Sequence, residues 1–117
     1  MRMELTLDCT DLETLAAFWS AALNYRRNLP DVEGYVSLEP PSPEGIPLTL
    51  QRVPEPKLTK NRLHLDLLVE DVEAEVSRLQ ALGARRLEDH TAYGTHWSVL
   101  ADPESNEFCV GLLPDQK

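Results

Sequence analysis

The feature that most restricts this chain is a pattern that occurs twice, 60 residues apart. Residues 3–9 alternate, with Leu5, Leu7 and Cys9 on one face and Glu4, Thr6 and Asp8 on the other, the period of a half-buried strand. Thr10 and Asp11 come next, with side-chain oxygens able to cap helical amides, and Glu13 suits the positive end of a helix dipole. Leu12, Leu15, Ala16, Trp19, Ala22 and Leu23 then recur at helical spacing, and the helix ends near Asn24. The second copy sets Leu63, Leu65, Leu67 and Val69 against His64, Asp66 and Leu68. Asp71 then opens a helix through Val72, Val76, Leu79 and Leu82, which Gly83 stops. Overlaying the copies puts Glu4 on His64, Thr6 on Asp66 and Asp11 on Asp71.

The segments after each helix read as strands. Residues 25–53 have no helical period and are broken by Pro30, Asp31, Gly34 and the run Pro40-Pro41-Ser42-Pro43-Glu44-Gly45, with short apolar strands at 35–38 and 48–53. Pro54-Glu55-Pro56-Lys57 is an extended linker, because a residue before proline is pushed away from helix. Further strands are expected at 84–88, 96–100 and 107–111, joined by turns at Tyr93-Gly94 and at Asp102-Pro103-Glu104-Ser105-Asn106. The organisation is thus an α+β chain of two βαβββ modules, 1–53 and 61–117, with a linker at 54–60. At 117 residues it has the length of one compact domain.

Charge narrows the partners. Twenty acidic against 11 basic side chains give a net charge of -9, which repels phosphate backbones and anionic bilayers, so neither nucleic acid nor a membrane surface is expected. Cys9 and Cys109 each lie in a strand without ligand or disulfide spacing, as in a cytoplasmic protein with reduced thiols. Residues 1–7 contain no apolar signal core, and no apolar run approaches membrane-spanning length.

The segment His64-Leu65-Asp66-Leu67-Leu68-Val69-Glu70-Asp71, with its helix ending in Leu82-Gly83-Ala84, resembles the opening of a vicinal-oxygen-chelate module. Asp102-Pro103-Glu104-Ser105-Asn106-Glu107-Phe108 is similar to the Asp-Pro-x-Gly-Asn-x-Phe close of such a module, with Ser105 in place of the usual glycine. In the first half Leu7-Asp8-Cys9-Thr10-Asp11-Leu12 and Ala17-Phe18-Trp19 resemble the glyoxalase-like subgroup, with Asn24 replacing a common glycine. The resemblance to this superfamily of glyoxalases, bleomycin-resistance proteins and extradiol dioxygenases covers nearly the whole chain. It implies sheets curled around a cup with the helices outside, and a homodimer. Activity is not implied by the fold, which hosts enzymes and drug-sequestering proteins alike.

Packing the leucine face of each first strand against its helix sends Glu4, Thr6, His64 and Asp66 to the opposite face. By the resemblance, metal ligands come from the first and last strands of each module, which implies Glu4, Gln51, His64 and Cys109 and a divalent zinc, nickel, iron or manganese ion. Cys109 stands where metal-dependent glyoxalases resemble this pattern but carry a glutamate that is both ligand and base. A thiol is poorly suited to that reversible proton transfer, which disfavours glyoxalase activity. An extradiol iron site would need a second histidine from His90 or His96, both expected beside the Tyr93-Gly94 turn and exposed. Trp19 belongs to the helix core by spacing, whereas Trp97 on a central strand can face either side. The ligand-binding set is therefore Glu4, Gln51, His64, Asp66, Trp97 and Cys109, with His64 and Asp66 the candidates for acid/base work. Three functions fit: a cup that binds or sequesters a small organic ligand without metal, a metal-dependent enzyme acting on vicinal oxygens, or a structural domain whose cup is filled by its own side chains.

Overall fold

The structure is a computed structural model that describes residues 1–114, with Pro30 and Asp31 described by backbone alone; residues 115–117, the end of the second module, lie outside the described residues. Two compact units divide the chain, Met1–Lys57 and Leu58–Lys117.

In the first unit, β1 (Leu5–Cys9) leads into α1 (Leu12–Leu23), followed by β2 (Arg26–Val32), β3 (Tyr35–Glu39) and β4 (Leu48–Arg52). In the second, β5 (Asp66–Val69) leads into α2 (Val72–Leu82), then β6 (Arg85–Ala92), β7 (Thr95–Ala101) and β8 (Glu107–Leu112). Each unit is one four-stranded sheet, ordered β1-β4-β3-β2 and β5-β8-β7-β6, in which the first strand runs parallel to the last and the other pairs are antiparallel. The two units share one topology, as the sequence repeat predicts.

Local chemistry starts and stops both helices as expected. Asp11 and Asp71 are the N-caps, their carboxylates accepting from the amides of Thr14 and Ala74. Asn24 closes α1 in the left-handed region at φ 56°, where a short polar side chain is tolerated, and Gly83 closes α2 at φ 123°. The helix stripes then decide the core. Leu15, Phe18 and Trp19 of α1 are buried with Val36, Leu38, Leu48 and Leu50, and Val76 and Leu79 of α2 with Leu100, Phe108 and Val110. Full burial of such a side chain contributes roughly 1.5–3 kcal/mol.

The β7–β8 turn accounts for the Asp-Pro-x-x-Asn motif. Asp102 is fully buried, and its carboxylate accepts from the amides of Glu104 and Asn106 and from the Asn106 side chain at 2.9–3.2 Å. Its buried oxygens are satisfied by these donors. Ser105 sits at φ 72°, a left-handed position that explains why glycine is usual there.

Three strand expectations change. Residues 26–32 form β2 although they are largely polar and contain Pro30, and the β2–β3 register shifts between Asn28 and Val32, where a proline cannot continue a ladder. β6 runs to Ala92 rather than Glu88, because its cross-strand partners on β7 continue to the turn. β5 starts at Asp66 rather than at residue 63, although the carbonyl of Leu65 still accepts from the Cys109 amide. At the β6–β7 turn Tyr93 (φ 56°) and Gly94 (φ 74°) are both left-handed, the geometry of a tight two-residue hairpin.

Candidate functional site

Alternation through residues 64–69 leaves Leu65, Leu67 and Val69 half-buried on one face and presents His64, Asp66 and Leu68 on the other. That open face carries a groove of about 550 Å³, lined in part by His64, Asp66, Trp97 and Cys109. These four members of the expected ligand-binding set are thus brought together within one unit, on a face that their own side chains do not fill.

The strand register explains how. Asp66 lies opposite Cys109 on β8, which lies opposite Val99 on β7, which lies opposite Glu88 on β6. The next row along is Leu68, Gly111, Trp97 and His90. Trp97, which either face could have held, therefore belongs to the groove. His90 is a correction: it is not a loose histidine beside a turn but part of β6, half-buried, with its ring stacked on Trp97 at a centroid distance of 5.2 Å and its Nε2 2.8 Å from a carboxylate oxygen of Glu88. The signal that could have found it is simple alternation, since His90 is two residues from Glu88 and shares its face. His96 also reaches the groove lining and is exposed.

The Cys109 thiol is half-buried, and burial followed by the neighbouring Asp66 charge and hydrogen bond pushes its pKa up to about 11 from an ordinary 9.0. At neutral pH it is a protonated thiol bonded to Asp66. His64 is the other neighbour of Asp66, its Nε2 3.4 Å from a carboxylate oxygen. Ligand atoms of His64, Asp66 and Cys109 all lie within 4.8 Å of one another. One nitrogen, one carboxylate oxygen and one sulfur at that separation fit the donor set of a zinc-like ion, provided the thiol gives up its proton.

Glu4 and Gln51 lie on the first unit. Glu4 precedes β1, is exposed, and is 3.8 Å from Arg2, which also reaches Glu39. Gln51 pairs in register with Asp8 and Tyr35 on the open face of the first sheet. The register also shows which first-unit residue corresponds to Cys109: Thr49 lies opposite Thr6 as Cys109 lies opposite Asp66, while Gln51 corresponds to Gly111.

Residues 4–111 match the family described as glyoxalase-like domain. The chain belongs to that family. Its fold is that of the glyoxalase, bleomycin-resistance and dioxygenase superfamily. A glyoxalase/bleomycin resistance protein/dioxygenase family enzyme from Burkholderia phytofirmans superposes with a TM-score of 0.74 at 17% identity, over 93% of this chain and 95% of that one. A mutant of the fosfomycin resistance protein FosX from Listeria monocytogenes, in complex with Mn(II) and dihydroxypropylphosphonic acid, superposes with a TM-score of 0.77 at 15% identity, over 97% and 90%. TioX from Micromonospora gives 0.66 at 18% identity, over 96% and 98%. At these identities the likeness is one of fold. No curated protein matches the chain in sequence. No helix among the described residues is long and apolar enough to cross a membrane.

Proposed function

We propose that this glyoxalase-like protein binds a small organic ligand in the groove of its second unit and holds it without chemistry, as a sequestering or resistance-type protein. The observation that carries this reading is the Cys109 thiol. Where related metal enzymes have a glutamate that binds metal and moves a proton, this chain has a group whose pKa is pushed up to about 11, leaving it neutral and bonded to Asp66. Around it the groove offers Trp97 for stacking and His64 and Asp66 for orientation, the mixture of apolar surface and a few polar groups typical of ligand sites. A homodimer in the cytoplasm belongs to the same proposal, and Glu4 and Gln51 are kept in it as separate polar candidates of the first unit.

The clustering of His64, Asp66 and Cys109 supports a second reading, a metal-dependent enzyme of the superfamily. These three residues would hold a divalent zinc, nickel, iron or manganese ion, which when bound supplies Lewis acidity toward paired substrate oxygens. His64 or Asp66 would take or return a substrate proton at the groove.

Metal analysis of untagged protein, together with a thermal-shift screen of organic compounds of both charges, separates the two. Metal-free protein stabilised only by organic ligands is the expected result. A stoichiometric metal that disappears in His64→Ala overturns the binding reading in favour of the enzyme. Light scattering that returns the mass of a single 13.2 kDa chain would remove the dimer.

A further inference from the structure

The two rows of the second sheet's open face differ in chemistry. The row Glu88, Val99, Cys109, Asp66 ends in a carboxylate on each side, and between them stand an apolar side chain and a thiol. With neighbouring strands about 4.8 Å apart, the three steps from β6 to β5 separate these two backbone positions by roughly 14 Å. The row His90, Trp97, Gly111, Leu68 is aromatic and apolar: the imidazole stacks on one face of the indole with 20° between their planes, no side chain rises at Gly111 on the indole's other side, and Leu68 stands at the far end. Glu107 adds a third carboxylate to the lining, against Lys60 as the one ammonium among the described lining residues. His64 sits 3.4 Å from the Asp66 carboxylate and His90 2.8 Å from that of Glu88.

We infer that the groove takes an elongated planar aromatic cation, its rings over Trp97 and Gly111 and its positive ends toward Glu88 and Asp66. This rests on the binding reading above and narrows it to one shape and one charge. A cation over an indole face is attracted by the ring quadrupole, and more strongly where water is excluded. Carboxylates at both ends of the row favour charge at both ends of the ligand, whereas a neutral molecule of the same outline keeps only the stacking. An anion meets three carboxylates and one ammonium, and is repelled.

The test uses three flat molecules of one outline at pH 8: the dication DAPI, its uncharged parent phenylindole, and the corresponding phenylindole dicarboxylate. Binding is read from ligand fluorescence and from Trp97 emission, with Trp19 in the core of the first unit as a constant background. DAPI is expected to bind saturably and at least about tenfold more tightly than the uncharged parent. Glu88→Gln and Asp66→Asn should each weaken DAPI by about tenfold, and by clearly more than they weaken the uncharged parent. Far-UV circular dichroism of each variant verifies that it is folded. If the parent or the dicarboxylate binds as tightly as DAPI, the charge assignment is overturned and the binding reading stands. DAPI binding that neither variant weakens reflects the acidic surface at large and also overturns the inference. Failure of all three compounds to bind overturns it too, and a blank thermal-shift screen alongside removes the binding reading with it.

Discussion

The two units make the same scaffold and use it differently. Both cap the helix with an aspartate, Asp11 and Asp71, and both tie the first helical turn to the following strand with a bidentate ion pair, Glu13 to Arg27 and Glu73 to Arg86. Both bury a helix stripe against the same side of a sheet with the same strand order. On the open side the likeness ends. The row across the first sheet reads Asn28, Ser37, Thr49, Thr6, all amide or hydroxyl; the equivalent row of the second reads Glu88, Val99, Cys109, Asp66. Packing constrains the helix side, where a changed volume leaves a cavity or a clash. The open side carries no such constraint, so there two copies of one pattern can hold different chemistry.

Four measurements would break or sharpen that contrast. The largest effect is expected from Trp19→Ala, which empties the core beneath α1 and should lower unfolding free energy by about 3–5 kcal/mol in a urea titration. Trp97→Phe on the open face should cost about 1 kcal/mol or less; equal losses would deny that the two sides of a sheet are under different constraints. Next, converting the second row toward the first with Asp66→Thr and Cys109→Thr together should preserve the circular dichroism spectrum and weaken any groove ligand by at least about tenfold. A loss of the fold instead would show that the groove residues hold the unit together.

Alkylation of Cys109 by iodoacetamide, read by mass spectrometry, should be slow at neutral pH and accelerate as pH approaches about 11, and Asp66→Asn should shift the profile to lower pH. The raised value means that the folded chain keeps this proton after the unfolded chain has lost it, so its contribution to stability is intact below 9.0 and is lost as pH rises from there through about 11. A profile centred at the ordinary thiol value would remove the physical basis for calling the group inert. The smallest effect concerns acid. The hydrogen bond from Arg86 holds Glu73 below the usual carboxylate range, and those from Ser98 and then Arg86 do the same for Asp89. Their stabilisation is in place above the unfolded carboxylate range and is lost as pH falls through the lowered values. Glu73→Gln should therefore blunt the acid limb of the stability curve and change little at neutral pH, as expected of a solvent-exposed pair.

The sequence revealed most of the fold because its informative residues act locally. Period-two alternation around Leu5 and Leu67, the aspartate caps, and the stops at Asn24 and Gly83 need no knowledge of distant neighbours. β2 and the second half of β6 were not legible, since their strand state comes from cross-strand partners and not from an apolar pattern of their own. For the same reason alternation placed His64 and Asp66 on the open face, but the company they keep depended on register. Nothing in the linear order told that Cys109 faces Asp66, that Trp97 stacks on His90, or that Thr49 is the first-unit counterpart of Cys109. The family motifs supplied the module plan; the thiol's protonation state came from burial beside a carboxylate, a three-dimensional quantity.

Gly111 has a practical meaning for this architecture. A methyl group built at its Cα would meet Trp97 and Leu68 at 3.5 and 3.6 Å, ordinary van der Waals contact. The depth of the hollow is therefore adjustable by one carbon at a time from a single backbone position: alanine would make it shallower without forcing any neighbour aside, and larger side chains would plug it. Substitutions there would act as a graded steric dial on the thickness of whatever the hollow could admit, independent of every charged group around it.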